Sequence, residues 1–283
     1  MLPLTVVTDS SACVAPGWPD AALRVLPLGL ITAEGRLADG PAAAPAVAAA
    51  LAAGDVVRTV APSPVEYLHA LDACPGGAVV VTPAADVAVM YRNATLAARL
   101  HGGHGGEVVV VDCGTAGPAH GLCVVSGLRA AAGGAGPTEV AGAVMAAARR
   151  ARLVAVIPDL ARVGGSAGQR PPMSAPGQPG LPTGGPGGPM VFRFHDGVPV
   201  PVRDGTGEPD DPVETLLAAW RGARGPDAAE AVVFHAGDEA GAAQLCARMD
   251  DGARSPTIVP ISPAMAVHTG PGCVGVAWLS QDP

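Results

Sequence analysis

Short runs of β-branched and other apolar residues, each followed by a segment that favours a helix, constrain the fold of this chain most. The clearest run is Glu107–Asp112, which holds four valines in succession. Leu4–Thr8, Ala78–Thr82 and Leu153–Ile157 are similar runs. Continuous runs of this kind suit parallel strands that are covered on both faces. Because they alternate with helical segments such as Thr138–Arg150, the sequence predicts an α/β layer structure.

The second half of the chain mixes hairpin and helix signals. Met190–Phe194 and Val198–Arg203 flank an Asp-Gly pair that is typical of β-hairpins. Asp211–Arg224 and Glu239–Asp251 favour helices. The remaining apolar runs favour strands: Ala231–His235, Thr257–Ile261, Met265–His268 and Cys273–Leu279. Residues 164–189 are rich in glycine and proline and predict a long mobile loop.

These patterns predict two domains. Residues 1–151 form an N-terminal α/β domain with a mainly parallel sheet and flanking helices. Residues 152–283 form a C-terminal α+β domain with a mixed sheet, because hairpins and helices occur together there. Val25–Leu30 and Val56–Val60 are further strand candidates in the first domain, and Ala42–Ala53 is a helix candidate.

The best local signal is a helix start at Ser63. This serine is a predicted N-cap, Pro64 is the first helical residue, and Glu66 completes a capping box. The signal places Thr59 on a strand-to-helix loop. Helix N–H groups point outward at such a loop and favour a negatively charged ligand.

Composition argues against several classes of function. All 17 basic residues are arginine, so no lysine can hold nucleotide phosphates or form a Schiff base. The net charge of −8 and the aromatic content of 3% argue against nucleic-acid binding. The glycines at 114, 117 and 121 do not fit a dinucleotide-binding pattern. We expect no cofactor and no metal ion.

The six cysteines and the apolar segments indicate where the protein resides. No CxxC pair is present, so we expect free thiols in a reducing compartment. No apolar run reaches about 18 residues without a charge or a Gly/Pro break, and we recognise no signal peptide. The sequence therefore predicts a cytoplasmic protein.

Polar side chains near both ends of the chain are candidates for ligand binding. His268 and Thr269 precede a Gly-Pro-Gly turn that begins at Gly270, and glycines let backbone N–H groups approach an anion closely. A tight hairpin with a surface histidine and threonine accounts for this spacing equally well. At the other end, Ser10 and Ser11 directly follow the first strand.

The order of motifs resembles the DegV family of fatty-acid-binding proteins over essentially the whole chain. The matching segments are Thr8–Ala12, Val25–Leu28, Thr59–Pro64, Val110–Asp112 with Gly121, Arg162–Gly165, His235-Ala236 and His268–Gly272. The resemblance implies two α/β domains that hold a lipid between them, with its carboxylate bound by hydroxyls and backbone donors. In many members a separate kinase subunit phosphorylates the bound acid. The ligand-binding residues implied here are Ser10, Ser11, Thr59, His268, Thr269 and Gly270.

The chain departs from the family at one hydroxyl-rich motif, Ser-Ser-x-Leu-Ser-Gly-Thr-Tyr. The residues aligned with it are Ala84–Tyr91, and every hydroxyl except that of Tyr91 is gone. Asp86 adds a negative charge to the same segment. Ser166 stands where the family has an arginine. The resemblance therefore supports the fold more strongly than it supports an identical headgroup site.

Three functions fit these observations. The first is binding of a fatty acid or similar long-chain lipid by a carrier or presenting subunit that is not itself an enzyme. Its partner would be a separate fatty acid kinase subunit. The second is an enzyme on the same scaffold that acts on a hydrophobic metabolite, with His268 as acid or base. The third is a degenerate member that acts only through protein contacts.

Overall fold

The computed structural model describes residues 2–15, 17, 22–102, 106–158, 189–195, 198–202, 211–223, 230–249 and 256–281. The mobile loop predicted at 164–189 lies outside these residues except for its last position. The strands are β1 Thr5–Asp9, β2 Leu23–Leu26, β3 Gly29–Thr32, β4 Gly35–Ala38, β5 Arg58–Val60, β6 Ala78–Thr82, β7 Val108–Asp112, β8 Ala151–Ile157, β9 Met190–His195, β10 Val198–Pro201, β11 Ala231–His235, β12 Thr257–Pro260 and β13 Val274–Leu279. The helices are α1 Ala44–Ala53, α2 Pro64–Asp72, α3 Met90–His101, α4 Gly117–Ala132, α5 Pro137–Arg150, α6 Pro212–Ala223, α7 Glu239–Met249 and α8 Pro263–Thr269.

The first half of the chain builds a parallel sheet with the strand order β2-β1-β6-β7. Every residue of β1 and β6 is buried, as expected for parallel strands that are covered on both faces. The run Val25–Leu30 is wrong as one strand, because it is divided between β2 of this sheet and β3 of another. Pro27 lies at the division and has no N–H group to donate to a sheet.

A small antiparallel sheet with the order β4-β3-β5 covers one side of this half. Thr59 of β5 pairs with Leu30 of β3, and the Leu30 side chain is fully buried. The register therefore orients Thr59 for the site described below. We did not predict β4, whose residues are mostly exposed and lack an apolar pattern.

The second half builds the mixed sheet that the sequence predicts, with the order β10-β9-β8-β13-β11-β12. Strands β9 and β10 form the expected antiparallel hairpin. Strands β11 and β12 are parallel, and β13 is antiparallel to both of its neighbours. The domain boundary predicted between residues 151 and 152 falls at the first residue of β8 and stays a prediction.

Within the described residues, the hydrophobic core consists of three clusters that are separated by the two large sheets. Helices α4 and α5 supply residues such as Leu128 and Val144 to the first cluster, which also contains Val6 of β1 and Ala277 of β13. The second cluster lies on the other face of the parallel sheet, against α1, α2 and α3. The third joins the mixed sheet to α6 and α7. Val267 of α8 belongs to the second cluster, so a C-terminal helix packs into the N-terminal half.

The strand predicted over Met265–His268 is wrong, because these residues lie in α8. The Ser262 hydroxyl accepts a hydrogen bond from the Met265 N–H (3.2 Å), and Pro263 is the first helical residue. This is the Ser-Pro signal that also starts α2, where the predicted capping box of Ser63 and Glu66 is confirmed. A helix of seven residues is too short to show an apolar repeat, so the cap was the usable signal.

Two further expectations concern the cysteines and the membrane. All six cysteines are free, as expected. Within the described residues, the structure contains no helix that is both long and apolar enough to span a bilayer.

Candidate functional site

The contact between Thr59 and His268 brings together the most widely separated of the predicted ligand-binding residues. Thr59 Oγ1 lies 2.9 Å from His268 Nε2, although the residues are 209 positions apart in the sequence. Thr59 is half-buried at the middle of β5, so its predicted position on the strand-to-helix loop is wrong: pairing with Leu30 of β3 extends the strand through it. His268 is exposed in the last turn of α8. A hydroxyl from the first half of the chain and an imidazole from the second half therefore lie in hydrogen-bond contact at a solvent-accessible position.

The Thr59 side of the site is fixed by the start of α2. The Ser63 hydroxyl accepts a hydrogen bond from the Glu66 N–H (3.2 Å), and the Glu66 carboxylate accepts one from the Ser63 N–H (2.7 Å). Asn93 of α3 donates to the Pro62 carbonyl (2.9 Å) and fastens the same loop from a second helix. These contacts hold the residues that follow Thr59 in one conformation.

The His268 side of the site is fixed by contacts at the start of α8. The Ala264 N–H donates to Asp39 Oδ1 (2.8 Å), and Asp39 is buried in the turn between β4 and α1. The Ser262 N–H lies 3.3 Å from Cys13 Sγ. A carboxylate near a helix N-terminus stabilises the exposed N–H groups there. Asp39 thus positions the helix that carries His268. Sequence analysis missed this role because an aspartate before Gly40 and Pro41 is typical of an exposed turn.

The imidazole of His268 is neutral near pH 7. Surrounding protein lowers its pKa from the ordinary value of 6.5, and desolvation is the cause. The fully buried His120 has a pKa that is lowered to about 4 for the same reason. A neutral imidazole can donate from one nitrogen and accept at the other.

Ser10 and Ser11 have hydrogen-bond partners within the protein. Ser10 Oγ accepts a hydrogen bond from the Leu28 N–H (3.0 Å), and Ser11 Oγ donates to Asp9 Oδ1 (2.5 Å). Asp9 is fully buried, and desolvation raises its pKa from 3.8 to about 6. The serines therefore shape the turn after β1, next to α8, and Ser10 keeps a hydroxyl hydrogen that this bond does not use.

The turn after α8 also uses its donors internally. Thr269 Oγ1 donates to the Met265 carbonyl (3.2 Å), and the Gly270 N–H donates to the Ala266 carbonyl (2.9 Å). The Gly272 N–H donates to the Ala236 carbonyl (2.8 Å). Gly270 has φ +78° and Gly272 has φ +81°. Glycine adopts these positive φ angles more readily than other residues, so the backbone conformation accounts for both glycines. These N–H groups are therefore not free to bind an anion in this structure.

The segment 84–88, which has lost the family's hydroxyls, is likewise bonded to the protein. The Ala84 N–H donates to the Thr115 carbonyl (2.8 Å), and the Ala85 N–H donates to Asp112 Oδ2 (3.2 Å). Ala88 packs against the second hydrophobic cluster, which contains Val267 of α8. Ala61 packs against the same cluster. Asp86 of the same segment is exposed.

The described residues offer no centre for a transition metal: they contain no group of three or more His, Cys, Asp or Glu side chains placed to hold a metal ion. The candidate site is a hydroxyl and a neutral imidazole that come from the two halves of the chain. Such a site can hydrogen bond one small polar group.

Comparison with known proteins identifies the relatives of this chain. A family model described as "Uncharacterised protein, DegV family" matches residues 3–164. No curated protein matches the sequence. A DegV family protein from Thermus thermophilus, described by its fatty acid binding, has a similar structure with a TM-score of 0.76 and 20% identity, over 98% of this chain and 99% of that chain.

Two further solved structures have the same fold. A Thermotoga maritima protein, described as revealing a fatty acid binding function, has a TM-score of 0.78 and 19% identity over 99% of this chain and 100% of that chain. The Fatty Acid Kinase B3 protein of Streptococcus pneumoniae, loaded with linoleic acid, has a TM-score of 0.78 and 16% identity over 98% of this chain and 99% of that chain.

Proposed function

This chain belongs to the DegV family, and we propose that it binds a fatty acid or similar long-chain lipid whose polar end lies at Thr59 and His268. The observation that carries the proposal is the 2.9 Å contact between these two side chains. It joins a strand of the N-terminal half to a helix of the C-terminal half, as expected for a ligand held between two domains. Structural relatives described as fatty-acid-binding or fatty-acid-loaded proteins support the class of ligand.

The energetics of a long apolar tail favour such a carrier. Burying each methylene contributes about 0.8 kcal/mol, so a tail of about fourteen contributes roughly 11 kcal/mol as an upper bound. The polar end must then find hydrogen-bond partners, because burying it without them costs several kcal/mol. The Thr59 hydroxyl and the His268 imidazole supply such partners.

The proposed role is binding without catalysis. The Thr59–His268 contact also has the spacing of a nucleophile and its base, which keeps the enzymatic alternative testable. Within the described part of the chain, however, His268 Nδ1 has no hydrogen-bond partner that would orient the ring for this role. An enzyme with a threonine nucleophile would gain the mass of an acyl group when incubated with an activated long-chain ester.

The finer parts of the proposal are the partner, the compartment and the domain division. A separate kinase acting on the bound lipid is the partner that the family resemblance implies, and the carrier role does not depend on it. We place the protein in the cytoplasm because its cysteines are free. Limited proteolysis that releases a fragment ending near residue 151 would support the two domains.

Lipid load after purification tests the proposal. The Thr59→Ala/His268→Ala double variant should purify with less bound lipid than the unaltered protein, because it removes both polar partners. The matched control is Thr257→Ala/His69→Ala, which changes the same residue types at exposed positions. Lipid released after denaturation is quantified by mass spectrometry. An equal load in the unaltered protein and the Thr59→Ala/His268→Ala variant would exclude this binding site.

A further inference from the structure

We propose that a monovalent alkali cation binds between the side chains of Asp9, Asp39 and Tyr67, where the end of β1, the turn before α1 and the start of α8 come together. The proposal goes beyond the lipid site and does not depend on it. The carrying observation is that each of these side chains is buried and has one oxygen without a hydrogen-bond partner in the described part of the chain.

Hydrogen bonds bring the two carboxylates together. The Leu28 N–H donates to Ser10 Oγ (3.0 Å), directly after Asp9, and the Leu28 carbonyl accepts a hydrogen bond from the Asp39 N–H (2.7 Å). The Ala264 N–H joins Asp39 to the start of α8 (2.8 Å). Desolvation raises the pKa of Asp9, and the negative charge of Asp39 raises it further, so the two side chains lie within electrostatic range of each other.

The phenol of Tyr67 adds a third oxygen from α2. Tyr67 is fully buried and belongs to the second hydrophobic cluster together with Leu28 and Ala264. Desolvation raises the pKa of its hydroxyl, and the charge of Asp9 raises it further, so this hydroxyl is near the Asp9 carboxylate. A buried tyrosine hydroxyl ordinarily has a hydrogen-bond partner. The unused phenol oxygen is therefore a sign of a ligand that is independent of the two acids.

Each carboxylate keeps one oxygen for this ligand. Asp9 Oδ1 accepts hydrogen bonds from the Ser11 N–H (3.0 Å) and the Ser11 hydroxyl, whereas Asp9 Oδ2 has no partner among the described residues. Asp39 Oδ1 accepts from the Ala264 N–H, whereas Asp39 Oδ2 has none there. Together with the Tyr67 hydroxyl, the cluster supplies three unused oxygen atoms.

No positively charged side chain of the described residues balances the two carboxylates. Neither Asp9 nor Asp39 forms an ion pair there, and no positive charge contributes to the pKa of Asp9. Burying a carboxylate without a counter-charge is strongly unfavourable, so buried charges are paired or bind cations. A water molecule would bond to the three oxygens but would leave both negative charges unbalanced.

The ligand atoms favour an alkali cation over other metal ions. Oxygen ligands alone do not suit the metals that prefer thiolate or imidazole. Calcium takes about six to eight oxygen ligands and magnesium usually keeps several waters, which three buried oxygens do not match. The site therefore fits Na⁺ or K⁺. The sequence predicts no metal ion because these residues meet only through long-range contacts.

A bound ion would fasten α8 to the end of β1. Asp39 Oδ1 already bonds to the start of α8, and an ion on Asp39 Oδ2 would connect that turn to Asp9. Because the unfolded chain does not hold these oxygens together, the ion should bind only the folded protein and raise its stability.

Thermal unfolding of the full-length protein in different chloride salts tests the proposal. At pH 8, where Asp9 is ionised, the melting temperature should be at least about 2 °C higher in sodium or potassium chloride than in choline chloride at the same concentration. The shared anion and equal ionic strength remove general salt effects. Equal melting temperatures in all three salts would overturn the proposal and leave the proposed function standing, since the measurement does not involve lipid.

Two conservative variants locate the ion. Tyr67→Phe removes one proposed ligand atom and should reduce the difference between the alkali and choline salts, whereas Tyr91→Phe, at a half-buried position of α3, should keep it. Asp39→Asn removes one charge and should abolish the difference, whereas Asp55→Asn, at an exposed position, should keep it. An unchanged difference in Tyr67→Phe and Asp39→Asn would place the salt effect elsewhere and overturn the proposal.

Crystals grown with rubidium chloride show the ion directly. Rubidium scatters anomalously and replaces potassium, so a peak is expected between Asp9 Oδ2, Asp39 Oδ2 and Tyr67 Oη. The absence of a peak at this position, with a water molecule bonded to the three oxygens instead, would overturn the proposal.

Discussion

Replacing His120 by glutamine should make the free energy of unfolding rise, relative to that of the unaltered protein, when the pH is lowered from 7.5 to 5. His120 lies in α4 and is fully buried. Its Nε2 is 3.1 Å from Thr8 Oγ1 and 3.2 Å from the Val81 carbonyl oxygen, so it joins the helix to β1 and β6. Desolvation is the main cause that lowers the pKa of His120 from 6.5 to about 4.

The sign of the effect follows from proton binding. Between pH 6.5 and pH 4 the unfolded chain binds a proton at His120 that the folded protein excludes, so stability is lost as the pH falls. One pKa unit corresponds to about 1.4 kcal/mol, so this group removes about 2 kcal/mol between pH 7.5 and pH 5.

Asp9 has the opposite effect over nearly the same range. Desolvation raises its pKa from 3.8 to about 6, while its hydrogen bonds with Ser11 lower it. The folded protein then binds a proton more readily than the unfolded chain does, so Asp9 adds about 1.5 kcal/mol between pH 7.5 and pH 5. The two contributions nearly cancel in the unaltered protein.

Urea denaturation at pH 7.5 and pH 5 separates the two groups. His120→Gln keeps a side-chain amide near Thr8 and Val81 but removes the titration. Relative to the unaltered protein, its stability should change by about 2 kcal/mol in the favourable direction when the pH is lowered. His69→Gln, at an exposed position of α2, should follow the unaltered protein. Parallel pH dependences of His120→Gln and the unaltered protein would refute the buried neutral imidazole.

Three further substitutions test the packing and the site. Gly121→Ala should lower the free energy of unfolding by about 1–3 kcal/mol, because a Cβ there would lie 2.4 Å from the Ala12 carbonyl oxygen. Gly142→Ala should raise it by about 0.5–1 kcal/mol, because a Cβ there would have no neighbouring atom within 4 Å. Similar urea midpoints for the two variants would contradict this difference. Ser63→Ala should lower the free energy of unfolding by about 1 kcal/mol through loss of the α2 cap, and an unchanged melting temperature would argue against that role. Asp39→Ala should weaken binding of a long-chain ligand more than Asp39→Asn does, since asparagine keeps an acceptor for the start of α8; calorimetry showing equal losses would contradict the positioning role.

Most strands of the two large sheets could be predicted because a buried strand is a short run of apolar residues, which is visible in the sequence itself. The run Ala78–Thr82 is apolar except for its last residue, and the strand covers the predicted residues. Helices α1, α2, α4 and α5 each have a proline in their first two positions, and this signal also acts within a few residues. Strand β4 was missed because an exposed edge hairpin needs no apolar pattern.

The site could be predicted only in part, because it depends on long-range contacts. The meeting of Thr59 with His268 follows from sheet register and from the packing of α8, neither of which leaves a local pattern. Motif order suggested both residues through the family resemblance. The internal bonding of Gly270 and Gly272 could not be predicted, since it requires the positions of carbonyl groups on other parts of the backbone.

Native mass spectrometry of gently purified protein tests the central claim most directly. The account predicts a folded chain that carries one long-chain lipid, which denaturation releases for identification. A folded, monodisperse protein that carries no lipid, and takes up none when incubated with long-chain acids, alcohols and monoacylglycerols, would contradict the account.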